Sequence, residues 1–384
     1  MLPIISTIPL RQMASGDVLS LQVYKFIGQN PGKKVYIQSN LHGAEIVGNA
    51  VIHQLIEFLT TLNNTDLIGE IWLLPVCNPM GTNQRSHHFS SGRHCAYEAK
   101  DWNRIFWDYE KDISQSNQSE ENQLLSFAKS QLDLNVEEIR TNFLNAIKQQ
   151  FLKVSDKINS GIGIPYTEKF RYKLQSLSLD ADYLIDIHSS TNQGLNYLYY
   201  FNNREESAKY FLLDFGILLD EYDGDAFDEA FIKPWLALEE CFEQLGRTIQ
   251  FNVEAWTLEL GRGMEMIPDS VNKGVEGIKN YLKQKGILSQ YFELDNIPEL
   301  NSEMNFKTKS KATKYYATVG GMIQSRIALG AEVKAGEKLY QILSFNKQGK
   351  LPTIVDIFAH KDGFVFDVSA NQSVNEGEFV LGII

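Results

Sequence analysis

The stretch KKVYIQSNLHGAEIVGNAVIHQLIEFLTTL, residues 33–62, decides the fold. Its first eight residues form the short apolar run of a buried strand, and from Gly43 onward apolar residues recur at spacings of three and four, which predicts a helix. The segment EIWLLPVCNP (70–79) ends at Asn-Pro and predicts the next strand. A strand, a helix and a strand in this order predict a βαβ unit.

Two later segments are also typical of strands. ADYLIDIHSS (181–190) is a short apolar run that ends in polar residues, and TIQFNVEAWTLELG (248–261) supplies at least one more strand. We therefore predict an α/β fold with a mostly parallel mixed sheet flanked by helices. Because such sheets bind ligands beyond the carboxyl ends of their strands, polar residues at those ends are the candidates for function.

Composition and charge limit the class of function. The 384 residues include 43% hydrophobic and 22% charged side chains, enough for a large core with a small satellite domain. The formal charge of −12 argues against nucleic-acid binding, which concentrates Lys and Arg. We find neither a signal peptide nor the roughly 20 apolar residues of a membrane span. We expect a soluble cytoplasmic protein that acts on a small molecule and binds neither nucleic acid nor membrane; a homo-oligomer stays open.

The three cysteines, Cys77, Cys95 and Cys241, narrow the chemistry further. They are odd in number and far apart, which argues against a disulfide framework and a Cys-x-x-Cys metal site. A buried free cysteine is more often a small hydrophobe than a nucleophile, and the Gly-x-Ser-x-Gly pattern of serine hydrolases is absent. Any metal site must therefore use His, Asp and Glu.

Two regions differ in texture from the predicted α/β part. Residues from about 110 to 160 carry apolar residues at helical spacing in a charged, glutamine-rich context, which predicts a helical insertion. From residue 307 to 384, short β runs are broken by Gly and Asn and contain a weak repeat, VxxGExL at Val333 and VxxGExV at Val374. We predict a catalytic domain of residues 1–306 and a C-terminal all-β domain of residues 307–384. The latter resembles the barrel-sandwich domains of biotinyl and lipoyl carriers but lacks their attachment motif, so we do not expect a carrier.

One histidine and one glutamate, His42 and Glu45, lie where the first strand turns into the first helix. Chance alone gives about one His-x-x-acid pair in a chain of this composition, so the spacing is weak evidence by itself. Gly43 inside the turn allows both side chains to leave the sheet edge together. His188 ends the strand YLIDIH and would lie along the same edge. Two His and one Glu form a catalytic zinc set with a fourth position for water.

A catalytic zinc needs a general base. Glu259, in TLELG, lies near another strand end, where a carboxylate can take a proton from a water in the cleft. Glu254 is an equally good residue on sequence alone.

The motifs together resemble a known family. In chain order the motifs are His42-x-x-Glu45, Asp101-x-Asn103-Arg104, Asp186-x-His188 and Thr257-x-Glu259-x-Gly261. Over about residues 33–285 this set resembles the succinylglutamate desuccinylase and aspartoacylase branch of the zinc carboxypeptidase superfamily. The β-rich tail also looks like the C-terminal domain that this branch carries over its active site.

This resemblance implies one zinc ion per chain, bound by His42, Glu45 and His188, with Glu259 as general base and acid. It further implies that Asn103 and Arg104 hold a substrate carboxylate, for which the planar fork of an arginine is well suited. Asp101 is then expected to orient His42 by accepting its free ring N–H.

The family also places an arginine shortly before the Asp-x-Asn-Arg motif, where it stabilises the tetrahedral oxyanion. Arg93 follows a glycine, as in the family pattern, and is our choice, whereas Arg85 stays open because the spacing is longer than expected. The loop histidines His87, His88 and His94 are not assigned to the site. A substrate-binding tyrosine is expected, and its candidates are Tyr197, Tyr199 and Tyr200.

The implied function is hydrolysis of the amide bond of a small, carboxylate-bearing N-acyl amino acid. A metallocarboxypeptidase that acts on peptide C-termini is the alternative, and a non-catalytic scaffold or carrier-like protein is a third. The acyl group and the amino acid cannot be read from the sequence, because loops without recognisable motifs form the pocket wall.

Overall fold

A nine-stranded mixed sheet forms the centre of the protein, a computed structural model in which residues 1–87, 90–116, 123–160, 163–222, 224–293 and 304–384 are described. Along the sheet the strand order is β1-β2-β4-β3-β5-β9-β7-β8-β10. The strands are β1 (Ile4–Gln12), β2 (Val18–Ile27), β3 (Asn30–Ser39), β4 (Ile68–Leu74), β5 (Tyr183–Ser190), β7 (Asn196–Tyr200), β8 (Phe215–Leu218), β9 (Glu254–Arg262) and β10 (Asn305–Thr308), while β6 (Gln193–Gly194) pairs elsewhere.

The middle of this sheet is parallel and contains the predicted βαβ unit. Strand β3 pairs in parallel with both β4 and β5, β5 pairs in parallel with β9, and helix α1 (Val47–Thr61) connects β3 to β4. Antiparallel pairs lie further out, between β1 and β2, β2 and β4, and β7 and β9. The predicted α/β fold with a mostly parallel sheet is confirmed.

Helices cover both faces of the sheet. Helix α1 and helix α9 (Pro268–Gln284) pack on one face. The other face is covered by α3 (Tyr109–Ser116), α4 (Gln123–Ser130), α5 (Val136–Ser160), α6 (Tyr166–Ser178) and α8 (Phe227–Gln244). The two short helices are α2 (Pro79–Asn83) and α7 (Glu205–Ala208). The predicted insertion at about 110–160 spans α3 to α5, with residues 117–122 outside the described residues.

The alternation of side chains along the central strands decides which residues face the site. Successive residues of a strand point to opposite faces of a sheet. On β5, Ile185 and Ile187 pack in the core on the α1 face, so Asp186 and His188 point to the α8 face. The register pairs His188 with Glu259 on β9 and therefore places both on that same face.

Antiparallel sheets make up the C-terminal part, as the fold prediction stated. One sheet has the order β11-β18-β16-β13, with β6 added at β16, and the other has the order β15-β14-β12-β17. The strands are β11 (Thr313–Tyr316), β12 (Gly321–Gln324), β13 (Glu332–Val333), β14 (Lys338–Ser344), β15 (Thr353–Phe358), β16 (Gly363–Val368), β17 (Ser373–Val374) and β18 (Phe379–Ile383). The division at residue 306 stays a prediction, since β10 still pairs with β8 of the large sheet.

The weak sequence repeat corresponds to two equivalent turns. Gly336 and Gly377 have φ angles of 82° and 84°, a backbone conformation that favours glycine. In the first turn the backbone N–H of Lys334 donates to the Glu337 carboxylate at 3.0 Å, and Asn375 donates to Glu378 at the same distance in the second. The repeated Gly-Glu pair thus closes each turn by the same contacts.

Element ends differ from the sequence expectation by a few residues. Strand β4 ends at Leu74, because Pro75 has no N–H to continue the ladder. Strand β9 begins only at Glu254, and β5 and β9 extend past His188 and Glu259 to Ser190 and Arg262. The two residues therefore lie near the strand ends and not at the last position.

We expect the centre of the sheet to carry much of the stability. Ile37 on β3 is fully buried between β4 and β5, so Ile37→Ala should lower the free energy of unfolding by about 2–5 kcal/mol. Ile354 on β15 is 57% exposed, and Ile354→Ala should cost below about 0.5 kcal/mol. Chemical denaturation of both variants measures this contrast, and equal losses would contradict the packing described.

Candidate metal centre and active-site cleft

The loop after β3 holds the first two candidate ligands. Asn40 has a φ of 67°, and its side-chain amide donates to the carbonyl oxygens of His42 at 3.1 Å, Gly43 at 3.0 Å and Glu45 at 3.3 Å. Asparagine tolerates this left-handed conformation better than most residues with a side chain. One amide thus sets the path of the loop, and α1 begins only after it, at Val47.

Two imidazoles converge on the carboxylate of Glu45. Nδ1 of His42 lies 2.9 Å from one oxygen, and Nδ1 of His188 lies 2.8 Å from the other. One ligand atom of each residue lies within 4.8 Å of the other two, and all three side chains are buried. The structure therefore brings together the three residues that the sequence suggested as metal ligands, from segments 143 positions apart.

The other nitrogen of each ring faces a second carboxylate. Nε2 of His42 lies 3.1 Å from Asp101, the contact expected of that residue, and Nε2 of His188 lies 3.0 Å from Asp186. A carboxylate at Nε2 favours the proton on that nitrogen and turns the lone pair of Nδ1 toward Glu45. Asp186 was part of the quoted motif but had no role assigned to it.

The charge balance of this group suits a divalent cation. Burial alone lowers the pKa of an imidazole, but the facing carboxylates more than offset it, so the pKa of His42 is raised and that of His188 lies well above its usual value. The two imidazoles in turn hold the pKa of Glu45 below its usual value, against the effect of burial. With a carboxylate oxygen 2.9 and 2.8 Å from the two Nδ1 atoms, the group needs positive charge, either on protonated imidazoles or on a metal ion, and two imidazoles with one carboxylate are a known metal-ligand set.

Glu259 lies beside the candidate ligands, and Glu254 does not. Glu259 is the cross-strand neighbour of His188 and lines the cleft, where burial raises its pKa to about 7. Glu254 begins the same strand and points to the other face, where it accepts hydrogen bonds from Tyr281 at 2.6 Å and Lys285 at 2.8 Å. Of the two glutamates left open by the sequence, only Glu259 is placed to exchange a proton in the cleft.

The Asp101-x-Asn103-Arg104 turn reaches the same cleft. The backbone N–H of Asn103 donates to Asp101 at 2.8 Å, and the Asn103 side-chain oxygen accepts from the N–H of Phe227 at 2.9 Å. This second bond fixes the amide orientation and directs its NH₂ group away from Phe227. Asn103 and Arg104 both line the cleft.

Arg93, and not Arg85, is close to the candidate ligands. Nε of Arg93 donates to Asp101 at 3.0 Å, and its guanidinium lies 3.9 Å from Glu45. Arg85 is exposed and donates to the carbonyl oxygens of Thr82 and Gln84 in its own loop. Of the two arginines that the sequence left open, Arg93 is the one near the candidate ligands. Its role in stabilising the oxyanion stays a prediction.

Of the three unassigned histidines and the three candidate tyrosines, two tyrosines line the cleft. His87 and His94 are exposed, and His88 lies outside the described residues. Tyr197 and Tyr199 line the cleft, with ring centroids 5.3 Å apart. The third tyrosine, Tyr200, faces the opposite side of its strand and packs on Phe306.

The cleft is large enough for a small organic molecule and has two walls. Its volume is about 730 Å³, within the usual range for ligand sites. The candidate ligands, Glu259 and the arginines line one wall, and the second wall comes from the C-terminal part, with Lys309, Lys314, Tyr316, Phe366 and Asp367. The C-terminal part therefore forms one side of the cleft, and the large sheet forms the other.

Comparison with known proteins agrees with this geometry. Residues 31–140 match the catalytic domain of the succinylglutamate desuccinylase/aspartoacylase family, a range that includes His42, Glu45 and Asp101-x-Asn103-Arg104. A candidate succinylglutamate desuccinylase/aspartoacylase from Shewanella frigidimarina NCIMB 400 has a similar structure, with a TM-score of 0.83 and 25% identity over 100% of this chain and 97% of that chain. A family protein from Shewanella amazonensis SB2B gives a TM-score of 0.82 and 27% identity over 99% and 98% of the two chains.

The chain is therefore similar to the succinylglutamate desuccinylase/aspartoacylase family, in sequence over residues 31–140 and in structure over nearly its whole length.

A third solved structure shares the family fold at lower identity. The product-bound ectoine utilization protein EutE (DoeB) from Ruegeria pomeroyi has a TM-score of 0.63 and 18% identity over 100% of this chain and 95% of that chain. No curated protein gives a significant match. Together the family match and the similar structures support a hydrolase of the succinylglutamate desuccinylase/aspartoacylase type. Within the described residues, we find no helix with the length and apolar character to cross a membrane.

Several residues of the site had no signal in the sequence. Asn40 holds the ligand loop by contacts to its own backbone, and Thr191 donates to the Glu45 carboxylate at 3.4 Å. Asp228, at the start of α8, accepts from Thr257 at 2.6 Å, and burial raises its pKa to about 6. Thr191 and Thr257 are close in sequence to His188 and Glu259, but only the folded sheet shows that they and Asp228 lie at the site.

Three glycines allow the Arg93 loop to approach the ligand loop. A Cβ on Gly92 would lie 2.3 Å from the carbonyl oxygen of Gly81 and 2.8 Å from the Cα of Gly43, while the N–H of Gly43 donates to Gly92 at 3.1 Å. Distances this short exclude any side chain at Gly92. Close backbone contact therefore sets the position of Arg93 relative to the loop that holds the candidate ligands His42 and Glu45.

Gly92→Ala should therefore damage both stability and the site. Its φ of 57° alone makes alanine strained, and the clash adds to that strain. Gly330 has a φ of 83° with open space around it, so Gly330→Ala tests the strain alone, about 1–2 kcal/mol. We expect a larger loss of unfolding free energy for Gly92→Ala, and weaker metal binding for that variant only. Equal effects of the two substitutions on both measurements would contradict the close approach.

Proposed function

We propose that the protein is a cytoplasmic zinc-dependent hydrolase that cleaves the amide bond of a small N-acyl amino acid and uses one zinc ion per chain. His42, Glu45 and His188 would bind the ion, and Glu259 would act as general base and acid. Naming the metal, the bond and the class of substrate goes beyond the similarity to the family.

One observation carries the proposal. The Nδ1 atoms of two buried imidazoles and the carboxylate of Glu45 meet at one point, and a carboxylate with a pKa near 7 lies beside them in an open cleft. Two His and one Glu, with an open coordination position, are the ligand set of hydrolytic zinc sites. A purely structural metal site would have no use for an adjacent group that can both take up and release a proton near neutral pH.

The reaction divides among residues of this chain. Zinc bound at the three ligands supplies Lewis-acid activation of the carbonyl group and of water. Glu259 takes a proton from the attacking water as its oxygen bonds to the carbonyl carbon. Arg93 donates hydrogen bonds to the carbonyl oxygen as negative charge develops on it. When the carbon–nitrogen bond breaks, Glu259 delivers its proton to the leaving amine and returns to its starting state.

The walls of the cleft support a small substrate with a carboxylate. The guanidinium of Arg104 and the amide NH₂ of Asn103 are suited to hold that carboxylate, and both side chains line the cleft. Lys309, Lys314 and Tyr316 of the C-terminal part form the facing wall. A wall at this position leaves little room for an extended polypeptide and favours an N-acyl amino acid.

Glu259→Gln should abolish most turnover while the metal stays bound. Glutamine has nearly the same shape but cannot accept the proton, so we expect kcat to fall about 10²- to 10⁴-fold. Zinc content by elemental analysis should remain near that of the wild type, because Glu259 is not one of the three ligands.

Glu254→Gln is the matched control on the same strand. Glu254 bonds to Tyr281 and Lys285 away from the cleft, so this substitution should affect stability but leave kcat close to the wild-type value. The reverse pattern, with turnover retained in Glu259→Gln and lost in Glu254→Gln, would refute the assignment of the base.

A substrate screen tests the function itself. N-acetyl, N-succinyl and N-formyl amino acids should be hydrolysed by the zinc-loaded protein, and α-amides of the same compounds should be poorer substrates because they lack the carboxylate. Faster release of C-terminal residues from peptides would favour the metallocarboxypeptidase instead. A protein that purifies without zinc and hydrolyses neither class would fit a non-catalytic scaffold.

A further inference from the structure

The segment that follows His188 connects three parts of the site. Thr191 donates to Glu45, one of the candidate ligands, at 3.4 Å. Strand β6, Gln193–Gly194, adds to the C-terminal sheet by pairing with β16, so that Gly194 lies opposite Asp367. The carbonyl of Leu195 accepts from Gly261, two residues after Glu259, at 3.3 Å. A displacement of this short segment would therefore reach both a ligand and the base.

Asp367 makes the side-chain contact between the C-terminal part and this segment. Its carboxylate accepts from the hydroxyl of Ser190 at 3.2 Å, and the same hydroxyl accepts from the backbone N–H of Asn192 at 3.1 Å. The two bonds fix the turn on either side of Thr191. Further along, the Asn192 side chain accepts from the N–H of Ala370 at 3.4 Å.

Burial of the Asp367 carboxylate is unfavourable for its charged form. Burial raises the pKa of Asp367 to about 6, which means that the surroundings disfavour the charged form although Ser190 stabilises it. A charged carboxylate accepts a stronger hydrogen bond from the Ser190 hydroxyl than a neutral acceptor does. An acid on the C-terminal sheet with no function at the cleft would be better placed in water.

We propose that Asp367 is a positioning residue of the active site: through Ser190 it holds the turn that places Thr191 against Glu45, and so couples the C-terminal β part to the metal centre. The C-terminal part then does more than form a wall. This inference rests on the proposed function for its effect on turnover, but its effect on metal binding stands independently.

Asp367 could also act through its negative charge instead of through its hydrogen bond to Ser190, and the two roles predict different results. The Asp367 carboxylate also raises the pKa of Glu259 through its charge, after the larger effect of burial. If charge were its contribution, Asn at this position would be as harmful as Ala, and Ser190 would not matter. If the hydrogen bond is its contribution, Asn keeps an acceptor oxygen for Ser190 and restores most of the function.

The experiment compares Asp367→Ala, Asp367→Asn, Ser190→Ala and the double Ala variant in the full chain. Zinc affinity is measured by competition with a chromogenic chelator, and kcat and KM are measured on the best N-acyl amino acid. Asp356→Ala is the control, because Asp356 lies on an exposed strand of the same C-terminal part and bonds to Gln341 and Lys338.

We expect Asp367→Ala and Ser190→Ala each to weaken zinc binding and lower kcat about tenfold with little change in KM, the size of one hydrogen bond to a charged group. The double variant should be no worse than Ser190→Ala, since Ser190→Ala already removes the bond to Asp367 together with the one from Asn192. Asp367→Asn should stay within about threefold of the wild type, as should Asp356→Ala.

Two results would overturn the inference. Wild-type zinc affinity in both Asp367→Ala and Ser190→Ala would show that the contact does not position the site. Asp367→Asn as impaired as Asp367→Ala, with Ser190→Ala unaffected, would assign the effect to charge. Should no substrate be hydrolysed while zinc affinity changes as expected, the proposed function would fail and the positioning role would stand.

Discussion

The contact between the Glu45 carboxylate and two imidazole nitrogens is the constraint on which the rest of the site depends. Distances of 2.8 and 2.9 Å are unfavourable between a carboxylate and two lone pairs, so the group needs positive charge at its centre. Asp101 and Asp186 add to that requirement, since their carboxylates lie 3.1 and 3.0 Å from Nε2 of His42 and Nε2 of His188. The protein thus places two buried carboxylates and the half-buried one of Asp101 around two rings, which is stable only with protonated imidazoles or a bound cation.

The sheet is what makes this arrangement possible. His42 follows β3, and His188 and Glu259 lie on the neighbouring strands β5 and β9, whose parallel pairing brings the same ends together. Because β5 and β9 are in register at His188 and Glu259, the base is fixed next to a ligand by backbone hydrogen bonds. The site at this edge therefore depends on the register of three buried strands and on the loop after β3 that holds His42 and Glu45.

The sequence was sufficient for the parts of the site that lie near strand ends. The apolar runs and the switch to helical spacing predicted β3, α1 and β4, and the polar residues after those runs marked His42, Glu45 and His188. The choice between Glu259 and Glu254 needed the structure, in which alternation along β9 places Glu254 on the face of Trp256 and Leu258. Contacts such as Ser190 with Asp367, 177 positions apart, depend on how two sheets pair and left no pattern in the sequence.

Anomalous diffraction from crystals grown with zinc measures most directly whether a single ion lies at this point. Data collected on both sides of the zinc absorption edge should give one strong peak per chain, about 2.0–2.2 Å from Nδ1 of His42, Nδ1 of His188 and a carboxylate oxygen of Glu45. A peak at other residues, or none at these three in zinc-soaked crystals, would contradict it.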